Sequence, residues 1–324
     1  MIRRLPLSVS VPITMVVALF CLVAASGLPV ASGESANVSA SGKPGPGTSL
    51  AGCPILPRSN AFNQDISDAP VHPRSNQYVS SIGRSTNLRA DFGSGQYGNY
   101  GIPFRIVGRK QKRVPVRFTA YGSESDRGPY PIPLGTRIEG GSDNHVIALQ
   151  RGTCRLYELY RAQRGEGRWL ADSGARFDLT SNELRPAGWT SADAAGLPIL
   201  PGLARADEAG RGRITHALRI TVSESQRGYI HPARHFASSS NDRSLPPMGL
   251  RLRLKSNYGL GRFSGQSLAI MKALKTYGLI VADNGSDWYI SGTPDKRWND
   301  DVLDQLKTVP GGAFEAVQTG RIHR

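Results

Sequence analysis

The sequence predicts a mainly β fold, an antiparallel β-sandwich or jelly roll with long loops and two short helices. Apolar and polar residues alternate in seven short runs, and glycine, proline and asparagine separate these runs, as is typical of antiparallel strands. The runs cover residues 114–121, 145–149, 155–160, 214–222, 249–255, 279–283 and 287–291. The long connections between them would decorate the sandwich as loops.

The run at residues 249–255 shows the alternation most clearly. Three leucines alternate there with three basic residues: Leu250, Leu252 and Leu254 against Arg251, Arg253 and Lys255. Successive side chains of a strand point to opposite faces of its sheet. We therefore expect one buried face and one basic face that is exposed to solvent.

Two segments have helical spacing. The first begins at a Ser264 cap and ends at Tyr277 before Gly278, with Leu268, Met271 and Leu274 on its apolar side. The second covers residues 300–308 and is capped by Asn299 or Asp300. The segment at 314–317 is expected to return as an edge strand.

Residues 1–33 have the order of a secretory signal peptide. Arg3 and Arg4 precede an apolar run at residues 12–23, and small residues follow at 24–26. An uncleaved membrane anchor is the alternative, because the apolar run is close to the length that spans a bilayer. Either way we expect a secreted, extracellular protein with no other contact with a membrane.

The rest of the chain divides into a linker and one domain. Residues 34–52 are rich in Gly, Ser and Pro, which predicts a disordered linker, and residues 53–324 form a single β-rich domain. Cys53 and Cys154 are the only cysteines beyond residue 33. In an oxidising compartment an isolated pair most simply forms one disulfide.

The formal net charge of the chain is +15. A basic exported protein suits an anionic partner, such as an acidic polysaccharide or a cell wall, although solubility alone also explains such a charge. Nucleic acid is not expected as a partner, because the sequence contains no recognisable nucleic-acid-binding module. We expect a monomer.

A long irregular stretch at residues 182–205 is rich in Pro and Gly and also contains several large apolar residues. Such content predicts a packed loop, and packed loops of this length often line a binding site. We expect it to form a cleft with the turns at 139–145 and 229–236. Arg185 and Trp189 of this loop are candidate substrate-binding residues.

Carboxyl groups are the first set of candidate catalytic residues. Hydrolysis of a glycosidic bond needs two of them on opposite sides of the bond. Glu139 and Asp143 precede a predicted strand, and Asp193 lies in the long loop. Asp283 and Asp287 flank Asn-Gly between two apolar runs, which we interpret as an ordinary hairpin turn.

Histidines are the second set. His145 shares a strand face with Asp143. His216 points to the apolar side of its run, where a histidine is more often a core residue, and we keep it as a candidate for substrate binding. His231 and His235 have the spacing of a zinc-protease helix, but Pro232 replaces its essential glutamate.

Two further alternatives rest on these histidines. One is a divalent metal held by His231, His235 and either Asp143 or His216. The other is β-elimination on a uronic acid, in which Arg234 neutralises the carboxylate and a histidine or Tyr229 removes the proton.

Three strings in the chain are long enough to be specific. They are NELRPAGWTSADAAGLPI at residues 182–199, HPARH at 231–235 and ADNGSDWY at 282–289. They resemble a family of secreted bacterial proteins of unassigned function, over residues 60–317. The resemblance implies secretion and one continuous domain, and it carries no catalytic assignment.

The sequence therefore favours a secreted carbohydrate-active enzyme of the glycoside hydrolase type, with no cofactor established and a divalent metal as the alternative. Its catalytic candidates are His231, His235, Asp143, His145, Glu139 and Asp193, and its substrate-binding candidates are Arg234, Arg185, Trp189, Tyr229 and His216. A lyase acting on an acidic polysaccharide and a noncatalytic polysaccharide-binding module are the alternatives.

Overall fold

The computed structural model describes residues 42–324. Strands dominate this part of the chain, and several sheets contain them. In chain order the strands are β1 (Lys43–Pro44), β2 (Ser49–Leu50), β3 (Cys53–Pro54), β4 (Gln64–Asp65), β5 (Arg89–Asp91), β6 (Phe104–Val107), β7 (Val116–Phe118), β8 (Val146–Gln150), β9 (Arg155–Tyr160), β10 (Gln163–Gly165), β11 (Arg168–Ala171), β12 (Ser173–Asp178), β13 (Leu218–Val222), β14 (Arg251–Leu254), β15 (Leu279–Asn284), β16 (Tyr289–Ser291) and β17 (Phe314–Ala316). Each of the seven predicted runs overlaps one of these strands, so the mainly β prediction is confirmed.

Two sheets carry most of the strands. The larger has six strands in the order β17-β14-β15-β13-β16-β5, and the smaller has four in the order β12-β9-β8-β6. A three-stranded sheet, β10-β11-β7, and the two small pairs β1-β4 and β2-β3 complete the set. The tail at 314–317 forms the predicted edge strand, because β17 pairs with β14 alone.

The expectation of antiparallel sheets is wrong in part, because both large sheets are mixed. Parallel pairs join β6 to β8, β13 to β15, β16 to β5 and β11 to β7. A parallel pair needs a long crossover connection. The chain provides one between β13 and β15, where the connection includes β14 and a helix.

Four α-helices lie in the described residues: α1 (Ser75–Ile82), α2 (Ala206–Gly210), α3 (Gly265–Thr276) and α4 (Asp300–Leu303), which continues as a 3₁₀ turn over Asp304–Thr308. The helices α3 and α4 are the two that the sequence predicts. Asn299 caps α4 by accepting a hydrogen bond from the backbone N–H of Val302. The sequence does not predict α1, whose buried apolar residues are only Tyr78, Val79 and Ile82.

The basic face predicted for residues 249–255 is not exposed. Arg251 and Arg253 are 0% and 8% exposed. The guanidinium of Arg251 donates to the carbonyl oxygens of Ala61 and Tyr277, and that of Arg253 bonds to Glu315 and to two backbone carbonyls. The chain at 61–67 therefore covers the face that alternation assigned to solvent.

The hairpin interpretation of residues 283–287 is also wrong. β15 and β16 do not pair with each other, because β13 lies between them and pairs with both. The segment after Asp283 therefore crosses over the end of β13. Asp287 closes this crossing by accepting hydrogen bonds from the backbone N–H and the hydroxyl of Ser223.

The inner strand β8 of the four-stranded sheet is buried on both faces. Ile147 and Leu149 of β8 belong to the main hydrophobic core, which also contains residues of the six-stranded sheet and of α3. Val146 and Ala148 of the same strand belong to a second core with residues of the three-stranded sheet. Strand β8 thus has no solvent face, and its N-terminal end leads directly to the turn at 139–145.

The predicted disulfide is present and joins Cys53 to Cys154 across 101 residues. For a loop of this length the chain-entropy model gives at most about 4–5 kcal/mol of stabilisation. The predicted linker is described from residue 42 onward, where β1 pairs with β4 and β2 pairs with β3. The predicted signal peptide at 1–33 lies outside the described residues. Between residues 42 and 324, no helix is long and apolar enough to cross a membrane.

Candidate functional site

A polar cavity of about 290 Å³ opens where the two large sheets meet the long loop. We call it the acidic cavity, because Asp143 and Asp283 both line it. Other parts of its wall come from residues 190–192 and Ala194 of the long loop and from His235, Phe236 and Tyr160. The three segments expected to form a cleft, at 139–145, 182–205 and 229–236, thus all contribute to one cavity.

Asp283 reaches the cavity because of an irregularity in the sheet. The pairing of β13 with β15 shifts between Ile220 and Thr221, so that Ile220 lies opposite Val281 and Thr221 opposite Asp283. Ala282 is the extra residue of this bulge, and its carbonyl oxygen accepts a hydrogen bond from the backbone N–H of Ala195. A bulge redirects side chains at the end of a strand. Here it also fastens the long loop beside Asp283.

A buried arginine lies behind Asp283. Arg219 of β13 donates two hydrogen bonds to the carboxylate of Asp193, at 3.0 and 2.9 Å, and one to Asp283 at 3.0 Å. It donates a fourth to the hydroxyl of Ser291 at 2.7 Å. A buried charge must be paired and hydrogen-bonded to be tolerated. Asp193 accepts two of the hydrogen bonds from Arg219, and Asp283 accepts one. The guanidinium charge is therefore divided between the two carboxyl groups, and Asp283 receives the smaller part of it.

The environment of Asp283 favours its neutral form. Burial raises the pKa of Asp283 to about 7, and although Arg219 opposes this shift, the charges of Asp193 and Asp143 add to it. The side chain keeps 18% exposure on the cavity side. A carboxyl group in this state holds a proton near neutral pH and can donate it to a bound molecule.

Asp143 is the second carboxyl group at the cavity, and Tyr160 lies with it. Burial raises the pKa of the Tyr160 phenol, and the charges of Asp143 and Asp283 add to the increase. Both carboxyl groups therefore act electrostatically on one phenol. This places Asp143, Tyr160 and Asp283 around a common space.

The cavity has an aromatic rim, and one of its lining residues has a buried, unsatisfied acceptor. The side-chain oxygen of Asn284, which follows Asp283, is buried and has no hydrogen-bond partner among residues 42–324. Tyr121 is 47% exposed at the cavity, and Phe236 stacks on His235. Buried polar atoms are normally paired, but this oxygen has almost no accessible surface, so a molecule in the cavity would reach it only after the side chain moved.

Glu139 and His145 lie beneath the cavity and not in its lining. The Nδ1 of His145 is 2.5 Å from the Glu139 carboxylate, and its Nε2 is 2.9 Å from the carbonyl oxygen of Ala192. Burial opposes the charged form of His145, but the hydrogen bond and charge of Glu139 prevail and raise its pKa to about 9. With both nitrogens bonded, this imidazole joins the turn at 139–145 to the long loop.

Of the predicted pair His231 and His235, only His235 lies at the cavity. His235 lines the acidic cavity, with its Nδ1 2.8 Å from the carbonyl oxygen of Ala194 and its Nε2 3.9 Å from Glu124. His231 is exposed and is not among the residues that line the cavity. Arg234 is turned away, because its Nε donates to the carbonyl oxygen of Arg185.

The remaining predicted site residues have structural contacts. Arg185 is 6% exposed, donates to Asp126, Thr190 and Glu124, and lies over the ring of Trp189. His216 is 0% exposed and bonds to Glu208 at 3.1 Å, and Tyr229 stacks on His323. Asp193 holds Arg219, as described above.

A metal site was one alternative that the sequence left open. Within residues 42–324, no three His, Cys, Asp or Glu side chains lie together in a way that could hold a metal ion. The set His231, His235 with Asp143 or His216 is therefore not assembled.

Three residues that shape the cavity are not among the predicted site residues: Asp283, Tyr160 and Arg219. Asp283 was set aside because of the hairpin interpretation. A signal for Arg219 was available, because an arginine inside the apolar run at 214–222 has to find a buried carboxylate. Nothing in the pattern of Tyr160 distinguishes it from the other aromatic residues of the strands.

Comparisons with protein-family models, with curated proteins and with solved structures found no match for this chain. The geometry of the acidic cavity is therefore the basis for any functional conclusion.

Proposed function

We propose that this protein is a glycoside hydrolase that acts on a polysaccharide at the acidic cavity. The observation that carries the proposal is the pair Asp143 and Asp283, two carboxyl groups in different environments that line one polar cavity. Glycosidic bond cleavage uses such a pair, with one group protonated and the other ionised.

Asp283 is the general acid of the proposed reaction. Its raised pKa keeps a proton available, and it passes this proton to the oxygen of the leaving sugar as the glycosidic bond breaks. Arg219 is a positioning residue, since its hydrogen bond to Asp283 fixes the direction of the carboxyl group.

Asp143 is the second carboxyl group. The only side-chain hydrogen bond to its carboxylate within the described chain is a long one from Ser142, at 3.4 Å. As a carboxylate it stabilises the positive charge that develops on the sugar ring, and as general base it takes the proton of the water that attacks the anomeric carbon as the glycosidic bond breaks. Tyr160 lines the same cavity as the two carboxyl groups, where its phenol is available to donate a hydrogen bond to a sugar hydroxyl.

The remaining lining suits a carbohydrate. The carboxyl groups of Asp143 and Asp283 and the phenol of Tyr160 offer hydrogen bonds to hydroxyl groups, and Tyr121 and Phe236 offer ring faces to the apolar face of a sugar. Hydroxyl-rich rings with apolar faces combine these two properties in one ligand.

The test is incubation of the purified protein with neutral and acidic polysaccharides, following both reducing ends and the ultraviolet absorbance of unsaturated uronates. New reducing ends without absorbance are the expected result. Absorbance together with reducing ends would favour a lyase. Binding without any product would favour a noncatalytic polysaccharide-binding module.

Export and a layered architecture are parts of the same proposal. The signal-like segment at 1–33 supports secretion, which brings the protein to extracellular polysaccharides. A sandwich arrangement of the six-stranded and four-stranded sheets is supported by their common core, where Leu156 and Phe177 belong to the same cluster as Leu218 and Leu252.

A further inference from the structure

A second cavity, of about 130 Å³, lies beside the glycine-rich chain at residues 93–101. We call it the tyrosine cavity, because Tyr97 and Tyr100 line it. These two side chains are 67% and 57% exposed. Asp304 and Lys307, just after α4, line the opposite side.

Exposed aromatic residues are concentrated at the two cavities. Five large hydrophobic residues of the described chain are conspicuously exposed: Val71, Tyr97, Tyr100, Ile106 and Tyr121. The three tyrosines all line a cavity, whereas the two aliphatic residues line neither. Single exposed apolar residues need no explanation, but this distribution points to a binding role for the rings.

The chain that carries the two tyrosines is anchored. Asp300 accepts hydrogen bonds from the backbone N–H and the hydroxyl of Ser94, and the N–H of Ile102 donates to Gly292. Gly98 has φ +143°, and a Cβ there would lie 2.6 Å from the ring of Tyr100. Only glycine allows the chain to pass so close to that ring.

The tyrosine cavity adjoins the turn that carries Asp143. The side chain of Arg137 donates to the side chain of Asn99, and a Cβ on Gly140 would lie 3.0 Å from the Asn99 carbonyl oxygen. The chain between Tyr97 and Tyr100 therefore packs on the turn that continues to Asp143. Asp91 lies on the same path, since the charges of Glu139 and Asp143 add to the effect of burial in raising its pKa.

We propose that the tyrosine cavity is a remote sugar-binding subsite, and that the acidic cavity consequently acts on long glycan chains in preference to short ones. This inference rests on the proposed hydrolase function. One chain would enter the acidic cavity, pass over the turn at 137–143 and place a distant sugar ring between Tyr97 and Tyr100.

The chemistry of the tyrosine cavity suits such a ring. The faces of Tyr97 and Tyr100 pack against the apolar face of a sugar, and their hydroxyl groups stay at the rim. Asp304 and Lys307 form an ion pair with each other at 2.5 Å, and their side chains, 60% and 48% exposed, have further donor and acceptor positions for its hydroxyl groups. A bare apolar patch would lack these polar partners.

The test compares chain lengths in the Tyr97→Ala/Tyr100→Ala double variant. On the polysaccharide that the wild type hydrolyses best, kcat/KM should fall about tenfold more than on the disaccharide of the same linkage. The Tyr97→Phe/Tyr100→Phe variant, which keeps the rings, should recover most of the polymer activity. Ile106→Ala, at an exposed residue away from both cavities, is the matched control and should behave as wild type.

A binding measurement separates this inference from the hydrolase proposal. The wild type and the double variant are run in native gels that contain xylan, arabinogalactan, starch or polygalacturonate. Stronger retardation of the wild type supports the subsite even if no polymer is cleaved. Equal migration of the two proteins in every gel, or an equal loss of kcat/KM on polymer and disaccharide, would overturn it.

Discussion

Arg219 shows how one residue can determine the chemistry of another. Its guanidinium makes two hydrogen bonds to Asp193 and only one to Asp283, so the two carboxylates share one positive charge unequally. Burial then dominates at Asp283 and raises its pKa to about 7. A carboxyl group with an arginine of its own would instead be ionised well below neutral pH.

The rate of polysaccharide hydrolysis should therefore depend on pH in a specific direction. Asp283 must be protonated to act as the acid, so the rate should fall about tenfold for each pH unit above about 7. Steady-state rates between pH 4 and 10 measure this limb. A rate that stays constant up to pH 9 would contradict the role of Asp283.

The two histidines of the HPARH segment should differ in effect. His235→Ala removes a side chain from the acidic cavity and should lower kcat/KM at least about tenfold, with a small change in Tm. His231→Ala removes an exposed side chain outside the cavity and should change neither quantity by much. Equal losses of activity in the two variants would contradict the assignment of His235 to the cavity and of His231 to the surface outside it.

At the scale of elements, alternation predicted where strands lie but not which face is covered. The run at 249–255 forms β14, as predicted, yet Arg251 and Arg253 are buried by residues 61–67, which are distant in sequence. Nothing local in an alternating run encodes a covering segment 190 residues away. The hairpin interpretation after Asp283 failed for the same reason, because β13 inserts between β15 and β16.

Glu158 of β9 links the four-stranded sheet to the long loop, and it should make stability depend on pH. Its buried carboxyl accepts hydrogen bonds from the backbone N–H groups of Ile199 and Leu200. Burial nevertheless raises its pKa to about 7. Between pH 4.5 and 7 the unfolded chain loses this proton while the folded protein keeps it, so stability falls as pH rises through that window and then levels off.

Glu158→Gln should flatten this fall in stability. The glutamine side chain has no proton to lose. Across this pH window the unfolding free energy of the wild type should therefore fall by at most about 3 kcal/mol more than that of the variant. Thermal unfolding of both proteins at pH 4.5, 6 and 8 measures this difference in stability. The titration of Asp283 affects both proteins equally and therefore does not contribute to the difference. Parallel curves for the two proteins would mean that Glu158 is ionised in the folded state.

At the scale of the whole molecule, the sequence predicted the strand content, the two principal helices, the disulfide and the three segments that line the acidic cavity. It did not predict the order of the strands, because mixed sheets depend on which strands meet through long connections. Asp283 lies in β15, and Asp143 lies in the turn before β8. These two strands belong to different sheets. Their meeting is a property of the assembled fold, which explains why the sequence selected only Asp143.

The central claim is that Asp283 is the acid of a glycoside hydrolase, and one measurement tests it most directly. The release of reducing ends from the preferred polysaccharide is compared for wild type, Asp283→Asn and Asp287→Asn. Asp287 is four residues away, bonds to Ser223 and does not line the acidic cavity, so its variant is the matched control. We predict a loss of 10²–10⁴-fold for Asp283→Asn with Tm within about 3 °C of wild type, and near-normal activity for Asp287→Asn. Comparable activity in Asp283→Asn and wild type would contradict the account.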